Sequence, residues 1–293
     1  MARFPKPAGP RAQRPGSKMP ADVLAVDGGR ALHRADHLAT EEPMEVRLQA
    51  GGLTRTIAVT MRTPGNDFEL AGGFLFGEGV IASRDDIRSI AYCTDPAVDG
   101  DQQYNIVTVI LHGDHLPELA ALERHFYTTS ACGVCGKASL EALRLRGYPP
   151  VPQGFEVTPA LLATLPDRMR HAQGLFEITG GLHAAALFDA EGHVLAIRED
   201  VGRHNALDKL FGWALLEGRL PLRDAIVMVS GRASFELLQK TAAAGAPVFC
   251  AVSAPSSLAV QVAKAFEITL VGFLRGPRFN VYAHPERIRL GAP

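Results

Sequence analysis

Apolar and polar residues alternate along residues 44–62, and the alternation breaks at Gly51-Gly52. Glu45, Arg47 and Gln49 punctuate the apolar positions before the break, and Thr56, Ile57, Ala58 and Val59 continue after it. A period of two with glycines at the turn predicts a β-hairpin. Asn66 or Asp67 then stands at the N-cap of a predicted helix through Phe68-Glu69-Leu70-Ala71 to Phe76, with Gly77 or Gly79 as its stop. Residues 104–111 are β-branched and apolar, the mark of another strand.

The second half reads as an alternation of elements. Residues 157–171 have helical spacing, with Thr158 as N-cap and Pro159 at the first helical position. Residues 184–189 and 193–198 are apolar stretches flanking the turn Ala190-Glu191-Gly192, a strand pair. Leu207, Leu210, Phe211, Ala214 and Leu215 line one face of a helix over 205–217, with Asn205 as its plausible N-cap and Asp208 at N3. Strands at 225–230, 247–252 and 269–274 alternate with helices at 235–244 and 256–265. This order predicts an α/β fold with a parallel or mixed sheet covered by helices. On such sheets ligands sit beyond the carboxyl ends of the strands. Those ends carry the polar runs Glu199-Asp200-Val201-Gly202-Arg203-His204, Ser230-Gly231-Arg232 and Ser253-Ala254-Pro255-Ser256-Ser257.

Composition changes this picture little. The chain has 293 residues, is 47% hydrophobic and 21% charged, and carries a net charge of −1. Nothing in that balance draws it to nucleic acid or an anionic membrane, so an anionic ligand needs a local cluster of cations. Arg3, Lys6, Arg11, Arg14 and Lys18 alternate with Pro5, Pro7, Pro10, Pro15 and Pro20, which predicts a disordered basic tail over 1–22. No export signal and no membrane-length apolar run is visible, so the expected compartment is the cytoplasm.

Four cysteines are no disulfide framework in a chain this long. Cys132 and Cys135 form a Cys-X-X-Cys in the bare loop Thr128-Thr129-Ser130-Ala131-Cys132-Gly133-Val134-Cys135-Gly136-Lys137. Lys137 and Arg124 nearby favour a thiolate, which can take sulfur from an external persulfide and present it to an acceptor. A zinc site needs four ligands, and only one such cysteine pair exists, so two histidines would have to be borrowed. A disulfide switch of thioredoxin type expects its cysteines after the first strand of a βαβ unit, which this loop is not. Solitary Cys250 lies in an apolar run and reads as core.

The remaining candidates look like an anion site. Arg203 and His204 precede a helix start, although part of that run is accounted for by capping and a solvated face. Arg232 is placed to clamp a phosphate, or else to pair with Glu236 four residues on. Ser257 adds a hydroxyl at a third helix start, and His183 follows two glycines ahead of a buried strand. Gly77-Glu78-Gly79-Val80-Ile81-Ala82 matches a dinucleotide fingerprint by letter but ends a helix, and no Walker A motif is present.

Cys132-Gly-Val-Cys135-Gly, Gly-Gly-Leu-His183-Ala-Ala, residues 199–209, Ser230-Gly-Arg-Ala-Ser-Phe-Glu236 and residues 253–260 occur in that order. Together they resemble the formate dehydrogenase accessory sulfurtransferase family, FdhD/NarQ, from about residue 40 to 285. The resemblance implies a cytidine deaminase-like three-layer mixed sheet over 138–293. It further implies a smaller N-terminal α+β subdomain over 23–126, a mobile cysteine loop over 127–137 and a homodimer. It implies sulfur transfer from a cysteine desulfurase to the molybdenum bis-molybdopterin guanine dinucleotide cofactor of formate dehydrogenase. That cofactor is a bound substrate, with no stably held metal ion. Cys132 would carry the persulfide, Cys135 would assist, and the guanine nucleotide would lie near Phe273, Leu274, Arg275, Gly276, Pro277 and Arg278. The alternative is a non-catalytic chaperone for the cofactor or the apo-enzyme. Deamination itself is excluded, because Ala185 stands where the catalytic glutamate belongs and the cysteine pair comes too early.

Overall fold

The computed structural model describes residues 14–95, 97–117, 143 and 147–290. Among these residues a hairpin comes first, β1 (Lys18–Asp27) and β2 (Arg30–Ala39), paired only with each other. Lys18 to Asp22, expected within a disordered tail, are therefore strand. Proline at position 20 is tolerated because β1 has an unpaired edge.

A four-stranded sheet follows in the order β4-β3-β6-β5. Its strands are β3 (Glu42–Ala50), β4 (Leu53–Arg62), β5 (Ile87–Tyr92) and β6 (Ile106–Leu111). The β3–β4 turn has φ of 55° at Gly51 and 79° at Gly52, the left-handed pair that a two-residue hairpin demands. The larger sheet has the order β12-β11-β10-β9-β7-β8. It is built from β7 (His183–Phe188), β8 (Val194–Asp200), β9 (Ile226–Val229), β10 (Val248–Ala251), β11 (Thr269–Arg275) and β12 (Arg278–Ala283). Strands β9, β10 and β11 are parallel, β7 runs against both β8 and β9, and β12 runs against β11. The sheet is mixed, as expected, but β12 is an edge strand that the sequence pattern did not predict.

The helices are α1 (Asp67–Gly77), α2 (Gly100–Gln103), α3 (Pro159–Ala172), α4 (Gly174–Thr179), α5 (Arg203–Leu216), α6 (Phe235–Ala244) and α7 (Ser257–Ala265). Thr158 Oγ1 accepts from Leu161 N at 3.1 Å and Pro159 opens α3, the predicted start. One predicted cap keeps its position without its side-chain bond, and one is replaced. Asn66 sits at the cap of α1 in a left-handed conformation without a side-chain cap bond, and the Asp67 carboxylate accepts from Arg62 Nε at 3.1 Å. α5 starts two residues earlier than predicted, at Arg203 with Gly202 as cap, which moves Asn205 inside the helix. None of the described helices is long and apolar enough to cross a membrane.

Alternation along the central strands builds two cores. Val227 and Val229 of β9 join the cluster containing α1, α5, α6 and the small sheet, whereas Ile226 and Met228 join the one beneath α3. Both faces of the large sheet are thus covered, and α1 and α5 lie between the two sheets. Where α1 crosses α5, a Cβ on Gly73 would overlap the Asp208 carbonyl, and one on Gly212 would overlap the Glu69 carbonyl. Glycine at both positions lets the helices touch backbone to backbone.

Candidate functional site

The register of the large sheet gathers the polar runs at one edge. Ala185 pairs with Val229, so the start of antiparallel β7 lies beside the end of β9. His183 pairs with Asp200, the last residue of β8. Beyond β9, Ser230 N donates to Ala184 O at 3.0 Å and Ala184 N donates to Ser230 Oγ at 2.9 Å. Ser230 therefore closes the strand pair and leaves Gly231 and Arg232 to line the edge. Ser253 N donates to Gly231 O at 3.4 Å, Ser256 N donates to Ala233 O at 2.9 Å, and Phe273 N donates to Ser253 O at 3.2 Å. These bonds stitch the loops after β9 and β10 to the bulged part of β11. Helices α5, α6 and α7 all begin here, and the first turns of α5 and α6 have no side-chain cap.

The long motif at 199–209 divides into two halves with different work. Asp200, Asn205, Asp208 and Lys209 are buried. Lys209 Nζ lies 2.7 Å from Asp200 Oδ2 and donates to Thr63 O at 2.8 Å. Asp200 also accepts from Thr63 N, Gly202 N and Asn205 Nδ2, at 3.1, 2.8 and 3.1 Å. Asn205 Nδ2 donates to Met61 O at 2.7 Å. Lys240 Nζ donates to both Asp208 oxygens at 2.7 Å. These residues hold the small sheet and α6 onto α5. Glu199 accepts from Leu175 N and Phe176 N at the start of α4, at 3.0 and 2.7 Å.

Arg203 and His204 are the half that faces the edge. A Cβ added to Gly231 would stand 3.6 Å from His183 Nδ1 and 3.7 Å from Arg203 Cδ, in ordinary contact with both, so the three residues adjoin. Arg203 Nε is buried with no partner among the described residues. Burial, then the charges of Arg203 and His204, lower the pKa of His183 below its ordinary value. His204 Nε2 lies 3.0 Å from Glu236 Oε2 and 3.3 Å from Ser234 Oγ. That hydrogen bond pulls the Glu236 carboxyl down to about 2, so the group is ionised at any physiological pH. Glu236 is thus engaged with His204 and not with Arg232, which is exposed. Ser257 is exposed in the first turn of α7, while Ser256 Oγ accepts from Ala259 N as the cap.

Residues 273–278 form a hairpin, not a loop after the last strand. Arg275 pairs with Arg278 across Gly276-Pro277, and both arginines are exposed. Phe273 is exposed with φ of 52°, a left-handed conformation unusual for an aromatic residue, at a bulge between Gly272 and Arg275. Leu274 is fully buried in the core under α3, so its side chain cannot contact a ligand. Cys132 and Cys135 lie outside the described residues. Cys93 is half-buried, and Cys250 is fully buried with its thiol pKa pushed well up by desolvation, as expected of a core residue.

The family model for FdhD/NarQ matches residues 39–289. The chain belongs to the FdhD/NarQ family. Its relatives include the sulfur carrier protein FdhD of Streptomyces avermitilis, 53% identical over 277 residues covering 92% of this chain and 95% of the relative. The sulfur carrier protein FdhD of Mycobacterium tuberculosis is 50% identical over 270 residues, covering 91% of this chain and 96% of the relative. A crystal structure of a chain assigned as a formate dehydrogenase accessory protein, from Desulfotalea psychrophila, superposes with a TM-score of 0.70 at 28% identity, covering 93% and 99% of the two chains. The FdhD/NarQ match takes in the whole gathered edge, both cysteines of the Cys-X-X-Cys, and the β11–β12 hairpin, but begins only at the last residue of β2.

Proposed function

We propose that this FdhD/NarQ chain is a cytoplasmic sulfur carrier and sulfurtransferase in the maturation of a formate dehydrogenase, with Cys132 as the carrier. Its sulfur comes from a cysteine desulfurase, and its acceptor is the molybdenum bis-molybdopterin guanine dinucleotide cofactor, handled as a substrate. The names of its relatives support carriage of sulfur. The observation that carries the acceptor is the buried Arg203 Nε, without a partner among the described residues, beside His183 and Gly231 at an edge where three helices begin. Arg232, His204, Ser257, Arg275 and Arg278 supply further cations and donors, a composition suited to phosphates. The strand order, with β7 alone antiparallel among its sheet neighbours β8, β9 and β10, supports a cytidine deaminase-like domain, and the active assembly is a homodimer.

The chemistry balances without an external oxidant. The Cys132 thiolate attacks the terminal sulfur of the donor's persulfide. A Cys132 S–S bond forms, the donor's S–S bond breaks, and the donor leaves as a thiolate. At the acceptor, the Cys135 thiolate attacks Cys132 Sγ and the terminal sulfur departs as hydrosulfide. The two electrons come from the cysteine pair, which becomes a disulfide and is reset by a dithiol reductant.

Intact-mass spectrometry after incubation with a cysteine desulfurase and cysteine tests this. The wild type gains one sulfur mass that is lost on reduction, Cys132→Ala gains none, and Cys135→Ala retains the adduct. An unmodified wild type that still binds guanosine diphosphate would leave a cofactor-binding chaperone instead.

A further inference from the structure

The β1–β2 hairpin takes no part in the site. Its strands, each of ten residues, pair with no other described strand. Its base is closed by Thr40 N donating to Ser17 O at 3.0 Å, and β2 packs on α4, where Ala39 lies beside Gly181. Met19, Leu24, Val26, Leu32 and Leu38 are nevertheless exposed, Leu32 at 70%. A lone two-stranded hairpin is marginal in water, and one that displays apolar side chains invites a partner.

The register identifies one self-complementary face. Met19 lies opposite Leu38, Ala21 opposite Asp36, Val23 opposite Arg34 and Ala25 opposite Leu32, and these four rungs share a face because side chains alternate along a strand. Arg34 and Asp36 stand 3.6 Å apart with side chains 62% and 37% exposed. We infer that a second copy of the chain docks on this face, hairpin against hairpin, about a two-fold axis through its middle. That axis sets the first rung against the fourth and the second against the third. The apolar ends then meet each other, and Arg34 of each copy meets Asp36 of the other. No like charges oppose, and each large pair, Met19 with Leu38, covers the exposed Leu32 of the partner subunit.

This deepens the homodimer of the proposed function by naming its surface. It is independent of sulfur loading, which is measured on the same samples, so that failure of one leaves the other standing. The test is sedimentation velocity of the full chain over a micromolar concentration series. The wild type is expected to dimerise, and Leu32→Lys to weaken the dimer. Arg34→Glu and Asp36→Arg each weaken it about tenfold or more, since each sets like charges face to face. An equimolar mixture of these two variants restores the dimer, because each offers the other the opposite charge, an outcome that only a contact between copies produces. A monomeric wild type would overturn the inference and leave the face to another protein. So would variants that dimerise like the wild type, or a mixture that stays monomeric while circular dichroism shows folded chains.

Discussion

Asp200 and Lys209 form an ion pair at 2.7 Å with both side chains almost entirely withdrawn from water, and the pair ties the end of β8 to α5 and to Thr63, just past β4. Both residues belong to the polar run that the sequence marks as a ligand site, yet both serve the join between the sheets. Lys209→Met leaves the Asp200 charge buried without its counter-charge, so a loss of about 3–5 kcal/mol is expected. Urea denaturation measures it, and a loss under about 1 kcal/mol would mean that Thr63 N, Gly202 N and Asn205 Nδ2 suffice to sustain the carboxylate.

Arg232 and Leu274 should separate binding from stability. Arg232 is exposed, so Arg232→Ala is expected to lower affinity for guanosine diphosphate by about tenfold, about 1.4 kcal/mol, with the melting temperature unchanged. Leu274 is fully buried, so Leu274→Ala is expected to lower stability by about 2–5 kcal/mol. Titration calorimetry beside thermal unfolding reads both, and a reversal of the two outcomes would place the ligand elsewhere.

His183 should make binding depend on pH. Burial, then Arg203 and His204, place its folded pKa below 6.5. Between the folded value and 6.5 the unfolded chain binds more protons, so this group makes stability rise with pH across that window and costs stability below it. A polyanion beside the ring favours the imidazolium and draws in a proton. Affinity for guanosine diphosphate should therefore rise as pH falls through this window, and His183→Gln should flatten the profile. Imidazole titration by NMR, with and without nucleotide, tests the sign.

Glu236 contributes a negative charge at the same edge. Because His204 keeps it ionised, Glu236→Gln removes one full charge from beside the arginines. Nucleotide affinity should increase a few-fold, more at low salt than at high salt. A decrease in calorimetric titrations would instead show that Glu236 aligns His204 for the ligand.

The elements read correctly in advance are those specified by neighbours in sequence. Gly51-Gly52 encodes a turn and Thr158-Pro159 a helix start. The misreadings share a dependence on distant residues. Asn205 has the letters of an N-cap, but its amide is used by Met61 O and Asp200, so Gly202 takes the cap. β1, which carries Pro20 and three charged residues, and the six-residue β12 are edge strands with few buried positions to reveal them. The sequence indicated which stretches gather at the site. Separating Arg203 and His204 from Asp200, Asp208 and Lys209 required Thr63 and Lys240, which no local spacing connects to them.

Gly73 and Gly212 press α1 and α5 together at main-chain distance, where neither helix has a side-chain layer to slide on. The spacing of α1 and α5 is accordingly set by their peptide backbones, and the buried ionic ties of α5 add further contacts to Thr63 and to α6. A ligand seated at the arginine-lined edge would therefore meet α1 and α5 as one block, on a surface held from behind by main-chain contact.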